Sequence, residues 1–309
     1  MWGCAAICKP PRAESPGTRV FRREKPVTEA TTRNSAARKS EGGTLELLWI
    51  VVQALLIALV VRTFLFQPFN IPSGSLVPTL LVGDYLFVSK YSYGYSKYSF
   101  PFDLLNFQGR FMASEPKRGD IAVFKLPKDG KTDYIKRVIG LPGDRIQLID
   151  ARLYINGQET QRTPLPPYQT VDDFGRPVDV PHYTETLPNG ISHEIIQKNG
   201  DSGYWSNTPV YTVPPGHYFM MGDNRDNSQD SRVLREVGYV PFENLEGRAE
   251  VIFMSIEDHA RPGSHDEEPF WKFWDWDPFL DNDDIPGWKF WYLRWRWSMR
   301  WHRLFELVR

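Results

Sequence analysis

The apolar and polar positions change pattern twice along the chain. From Leu47 to Phe66 the sequence reads LLWIVVQALLIALVVRTFLF, interrupted only by Gln53 and, near its far end, Arg62. The apolar residues run all round the helix this predicts, not along one stripe, as in a segment without a polar face. The length suits a bilayer crossing, and Arg62 is placed where a long side chain can snorkel to the interface. From Tyr85 onward the pattern is one of short strands: Tyr85–Ser89, Asp120–Leu126, Asp133–Gly140, Arg145–Ile149, Tyr218–Met221 and Glu250–Ile256. Gly and Pro turns such as Leu141-Pro-Gly-Asp144 separate them. Asn156-Gly157, directly after Arg152-Leu-Tyr-Ile155, predicts a hairpin because both central positions tolerate positive φ. There is no internal repeat and no sustained helical periodicity before the tail. The expected fold is mainly β, an antiparallel sandwich or barrel behind one membrane helix.

Charge changes this picture only by segment. The net charge of -1 over 309 residues provides no field that would favour nucleic acid. The first 40 residues, however, hold nine Lys or Arg against three Glu, with little to build a core. A disordered, cytoplasmic basic arm over 1–44 is expected, followed by an anchor over 45–66. The positive-inside rule then puts residues 67–309 on the outer face. Gln67-Pro-Phe-Asn70 lacks a small-x-small cleavage pattern, which favours an uncleaved anchor over a removable signal. Both cysteines, Cys4 and Cys8, lie in the arm, so no disulfide is expected in the main domain and no zinc site is implied.

Three segments stand out chemically: Phe69-Asn-Ile-Pro-Ser-Gly-Ser-Leu-Val-Pro-Thr-Leu80; Arg118-Gly-Asp-Ile-Ala-Val-Phe-Lys125 with Asp133-Tyr-Ile-Lys-Arg-Val-Ile-Gly-Leu-Pro-Gly-Asp144; and Met221-Gly-Asp-Asn-Arg-Asp-Asn-Ser-Gln-Asp-Ser-Arg232. Taken singly they read as a turn, a strand with an outward lysine, and a polar loop. Together, in this order behind this anchor, they resemble the boxes of the type I signal peptidases (leader peptidases). The resemblance covers about a quarter of the outer domain closely, and the inserted stretch and the tail less so. Composition separately marks 151–215, rich in Pro, Tyr, Thr and Asn with weak strands, as a smaller inserted β lobe between two parts of an antiparallel β-sheet catalytic domain, 67–150 and 216–258.

The resemblance implies roles. Ser75 would be the nucleophile and Lys136 its general base. Ser73 would hold the oxyanion with the Ser75 N–H, and Ser228 would orient the lysine amine. Phe69, Ile71 and Ile135 would line shallow pockets for a small-x-small motif, with an extended substrate adding as a strand beside residues 69–75. Physical chemistry supports the dyad separately. A serine hydroxyl is a weak nucleophile until a base removes its proton, and lysine serves as that base only where burial lowers its pKa. Strand alternation puts Lys136 on one face with Tyr134 and Val138, and the resemblance places Phe124 and Met220 around the amine. Arg137 points the opposite way and, if buried, needs Asp223 or Asp230, with Arg232 extending that support.

No Gly-x-Ser-x-Gly elbow, no His-Glu-x-x-His and no Ser-x-x-Lys around Ser73 or Ser75 is present, which disfavours the other hydrolase classes. A self-cleaving repressor-type Ser–Lys peptidase shares the dyad but not the anchor. An inactive tethered scaffold would have lost Ser75, Lys136 or Ser228. The resemblance implies no cofactor, preproteins with signal peptides as substrates, the lipid bilayer and export machinery as partners, and single-pass residence in a bacterial inner membrane with a periplasmic catalytic domain. The tail, 259–309, runs from acidic to Trp- and Arg-rich; an in-plane interfacial helix and a protein-binding segment both suit it.

Overall fold

The computed structural model describes residues 44–100, 107, 109–171, 176–256 and 299–308. The basic arm before Thr44 and the acidic, Trp-rich part of the tail lie outside the described residues. Thr44–Phe64 is a 21-residue α-helix, none of whose most apolar 18-residue window is buried in the protein. At 1.5 Å per residue it reaches about 30 Å, the thickness of a hydrocarbon core. The helix stops two residues short of the sequence expectation. Phe66–Asn70 is instead a strand, tolerated despite Pro68 because it forms the edge of its sheet, where a missing N–H costs no ladder bond.

That sheet has seven strands, in the spatial order Phe66–Asn70, Asp84–Ser89, Leu245–Ser255, Ile121–Lys125, Asp133–Gly140, His217–Met221 and Val240–Pro241. The pairings are antiparallel throughout. Leu245–Ser255 begins five residues earlier than its sequence pattern suggested. Glu246 is accommodated by Lys125, with Nζ and Oε1 3.3 Å apart. Gly247 sits at a register shift where any side chain would meet the Ser89 carbonyl. A charge and a glycine that read as strand breakers are thus answered by a neighbour and a close backbone approach.

Apolar clusters pack both faces. One holds Tyr93, Phe124, Val138, Tyr218 and Met220; another holds Ile71, Leu76, Leu80, Leu86, Val123 and Ile252, with Phe69 and Ile135 against it. Asp133–Gly140 contributes to both by strict alternation, Tyr134 and Val138 to the first and Ile135 to the second. Between Gly140 and His217 the chain builds three small antiparallel sheets. Asn156 and Gly157 have φ of 56° and 82°, the expected primed turn between Arg152–Ile155 and Gln158–Glu159. Arg145–Ile149 pairs with Arg152–Ile155, so the line drawn at 150/151 passes through a hairpin. At the far end, residues 299–308 return to the main sheet: Phe305 N–H donates to Ile252 O at 2.7 Å and Val308 N–H to Glu250 O at 2.9 Å. Buried Arg303 bonds Asp84 Oδ2 at 2.7 Å and the Thr79 carbonyl at 2.9 Å.

Candidate active site

Ser75 lies in a short 3-10 turn, Gly74–Leu76, entered from extended Ser73. The turn is pinned by the third segment. Asn224 N–H donates to the Ser75 carbonyl at 3.0 Å and Asn224 Nδ2 to the Gly74 carbonyl at 3.1 Å. Both serine hydroxyls converge, with Ser73 Oγ 3.3 Å from Ser75 Oγ. Lys136 reaches the same point from the strand Asp133–Gly140. Its Nζ is 2.8 Å from Ser75 Oγ and 2.9 Å from the Ile135 carbonyl, and it lies 5.2 Å from the centre of the Tyr134 ring. Ser75 is 7% exposed and Lys136 4%.

Burial pushes the Lys136 amine down from 10.5 to about 8, against the weaker pull of Asp230 and Asp223 in the opposite direction. A lysine held there is about one-tenth neutral at pH 7 and half neutral at about pH 8, so it can accept a proton. The arrangement carries a cost in stability. The unfolded chain takes up its proton at higher pH than the fold does, so stability falls as pH drops from 10.5 to about 8 and stays reduced below that. At about 1.4 kcal/mol per pH unit the cost is about 3 kcal/mol. Lys136→Met is therefore expected to stabilise the protein by about 2–3 kcal/mol at pH 7, read as a higher denaturant midpoint, with the gain vanishing above pH 10.5.

The support beneath this pair is a set of buried ion pairs. Arg137, fully buried, donates through Nε to Asp223 Oδ1 at 2.9 Å and through Nη2 to Asp223 Oδ2 at 2.8 Å. Burial pushes the Asp223 carboxyl up, but Arg137, His193 and Thr79 together outweigh it and leave it below its usual range. Thr79 donates to Asp223 Oδ2 at 2.6 Å, tying the chain just after the nucleophile turn to the same carboxylate. Asp230 is the partner of Arg232, not of Arg137: Arg232 Nε and Nη2 each lie 2.8 Å from it, and Asp230 Oδ2 also accepts the Gly222 N–H at 3.0 Å. Ser228 is buried, and its Oγ makes no hydrogen bond of good geometry, to Lys136 or any other described residue. It nonetheless lies near enough to Asp230 to help hold that carboxyl low.

A groove of about 450 Å³ opens onto the pair. Ser73, Ser75, Lys136, Phe69, Ile71 and Ile135 all line it, with Asn227 and Gln229 from the third segment. The structure therefore brings together the residues expected at the reacting bond and beside it. Ser228, Arg137, Asp223, Asp230 and Arg232 lie outside the groove lining. Sequence reasoning missed Asn224, Gly222 and Thr79. All three stand within the quoted segments, but their roles are backbone clamping and close approach, which residue type does not reveal. Among the described residues no cluster of His, Cys, Asp or Glu could hold a metal ion.

Comparison with known proteins identifies the family. The family described as "Signal peptidase, peptidase S26" matches residues 44–254. Signal peptidase I of Rickettsia typhi is 48% identical over 208 residues, covering 65% of this chain and 76% of that protein. Signal peptidase I of Rickettsia massiliae is 44% identical over 237 residues, covering 74% and 84%. A crystal structure of a signal peptidase I from Enterococcus faecalis is 29% identical and covers 44% of this chain and 97% of that one, with a TM-score of 0.26. The chain therefore belongs to the type I signal peptidases of peptidase family S26, serine endopeptidases that remove signal peptides from preproteins.

Proposed function

We propose that cleavage proceeds through a Ser75–Lys136 dyad after a small-x-small motif. The observation that carries this reading is the 2.8 Å contact between a buried lysine amine and a serine hydroxyl at the floor of the groove. Neutral Lys136 takes the Ser75 proton as Oγ bonds to the carbonyl carbon of the scissile peptide. The oxyanion is held by the Ser75 N–H and the Ser73 hydroxyl. The lysine then gives its proton to the departing amine, leaving an ester on Ser75. Water hydrolyses that ester with Lys136 again as base. Ser228, buried beside Asp230, orients the amine; Tyr134, Arg137, Asp223, Asp230 and Arg232 hold the frame.

The substrate lies extended along residues 69–75, presenting alternate side chains to Phe69, Ile71 and Ile135. These three apolar side chains line the groove beside Ser75, and in this reading they take alanine in preference to larger groups. The helix Thr44–Phe64 tethers the enzyme to the bacterial inner membrane, N-terminus in the cytoplasm and catalytic domain in the periplasm. There it meets preproteins as the export machinery delivers them. The catalytic domain is built from two parts of the chain on either side of an inserted lobe, whose first boundary does not divide the hairpin of Arg145–Ile149 with Arg152–Ile155.

The test is cleavage of a preprotein by the detergent-solubilised enzyme. A substrate with Ala at the last position before the cut is processed, and the same substrate with Phe there loses roughly hundredfold or more in kcat/KM. Equal rates on both would remove the pocket assignment. Gly222 offers a second check. A Cβ there would stand 2.2 Å from Ser228 Oγ and 2.5 Å from the Ser75 carbonyl. Gly222→Ala is expected to displace the nucleophile turn and lower kcat roughly hundredfold, with the circular dichroism of the β domain retained.

A further inference from the structure

The inserted lobe reaches the catalytic loop at several places, Asn199 to Asp226 and Tyr211 to Arg232 among them, and one of these contacts lies beside the nucleophile turn. Within the lobe, His182–Thr186 pairs with Ser192–Ile196. From the end of the second strand, Ile196 N–H donates to the Asp223 carbonyl at 3.1 Å, and Arg225 N–H donates back to the Ile196 carbonyl at 3.0 Å. These two bonds bracket Asn224, the residue whose backbone and side chain hold the Ser75 and Gly74 carbonyls. Beside them Arg225, 1% exposed, donates through Nη1 to Glu185 Oε1 at 3.0 Å and through Nη2 to Glu185 Oε2. Burial pushes the Glu185 carboxyl up, but Arg225 and then His193 outweigh it and keep it below its usual range. His193 fills the space between the two ion pairs, its Nε2 3.5 Å from Glu185 Oε2 and 3.9 Å from Asp223 Oδ1.

We propose that Glu185, a lobe residue remote from the reacting atoms, is a positioning residue for Ser75, acting through Arg225 and Asn224. The ion pair is forked and fully desolvated, the geometry in which direction matters as much as attraction. It fixes where Arg225 stands, the backbone on either side of Asn224 follows, and Asn224 sets the height of the nucleophile turn. The lobe is then part of the catalytic frame and not a substrate platform alone. This inference rests on the Ser75–Lys136 reading.

The experiment compares wild type, Ser75→Ala, Glu185→Gln and Glu185→Asp as full-length enzyme in detergent. A preprotein is the substrate, and kcat and KM are taken separately per folded molecule, below each variant's Tm. Glu185→Asp keeps the charge but shortens its reach by one methylene, so a folded variant is in hand even where Glu185→Gln unfolds. The expected result is a kcat lowered roughly tenfold to a hundredfold in each folded Glu185 variant, with KM within about twofold of wild type. Wild-type kcat per folded molecule in Glu185→Asp would overturn the inference, as would a change confined to KM. Activity surviving in Ser75→Ala would instead overturn the dyad reading on which it rests.

Discussion

Ser75→Ala is expected to abolish preprotein cleavage, lowering kcat by roughly 10⁴-fold or more. The loss is this large because the hydroxyl is the bond-forming group and no other described side chain offers one to Lys136 Nζ. Lys136→Ala is expected to do the same, since Ser75 Oγ has Lys136 as its one basic partner at 2.8 Å. The double variant should be no worse than either single one, because residues that act as a unit lose their function together. Fold is not at issue for Ser75→Ala, which removes one small polar atom from a turn held by Asn224. Gel analysis of preprotein after long incubation reads the result. Appreciable product from either single variant would show that the nucleophile or the base has been misassigned.

Asp223→Ala is expected to have the largest effect on stability. It strips both carboxylate oxygens from Arg137, which has no exposure to water. Breaking a buried pair on one side costs about 3–5 kcal/mol, because the remaining charge stays desolvated. The same change releases Thr79 and so loosens the nucleophile turn from both ends. The sign of the pH dependence follows from the direction of the Asp223 shift. A carboxyl held below its usual 3.8 stabilises the fold above that pH and loses its contribution as pH falls through its lower, folded value. The difference between wild type and Asp223→Ala should thus be full at pH 7 and shrink in strong acid. Denaturant melts at pH 7 and pH 3 measure it; a difference below about 1 kcal/mol at neutral pH would mean the pair is not sealed from water.

Much of this was legible in the sequence, for physical reasons that vary by element. The membrane helix and Asp133–Gly140 were readable because each follows one rule, apolarity on every side of the helix in the first case and period-two alternation in the second. Alternation alone put Lys136 with Tyr134 and Val138 and sent Arg137 the other way, as the packing shows. Asn156-Gly157 announced its turn because few residue pairs accept two positive φ angles. Phe66–Asn70 was hidden by Pro68, and the first half of Leu245–Ser255 by Glu246 and Gly247, because tertiary partners overrode local preference. Asp223 and Asp230 were both visible as candidate partners of Arg137. Only the fold shows that Asp223 takes Arg137 while Asp230 takes Arg232. The tie from Glu185 to Arg225 spans 40 residues, from a strand of the lobe to a loop after a strand of the main sheet, and nothing in the local pattern around either residue announces it.

The most direct test of the dyad is the pH dependence of kcat/KM for the wild-type enzyme on one preprotein, from pH 6 to 10. Lys136 acts only as the neutral amine, and burial sets its midpoint at about 8. The Ser75–Lys136 assignment predicts a limb that rises tenfold per pH unit below about pH 8 and then levels off. A limb centred between pH 6 and 7, in the ordinary range of histidine, or a profile flat across the whole range, would contradict it.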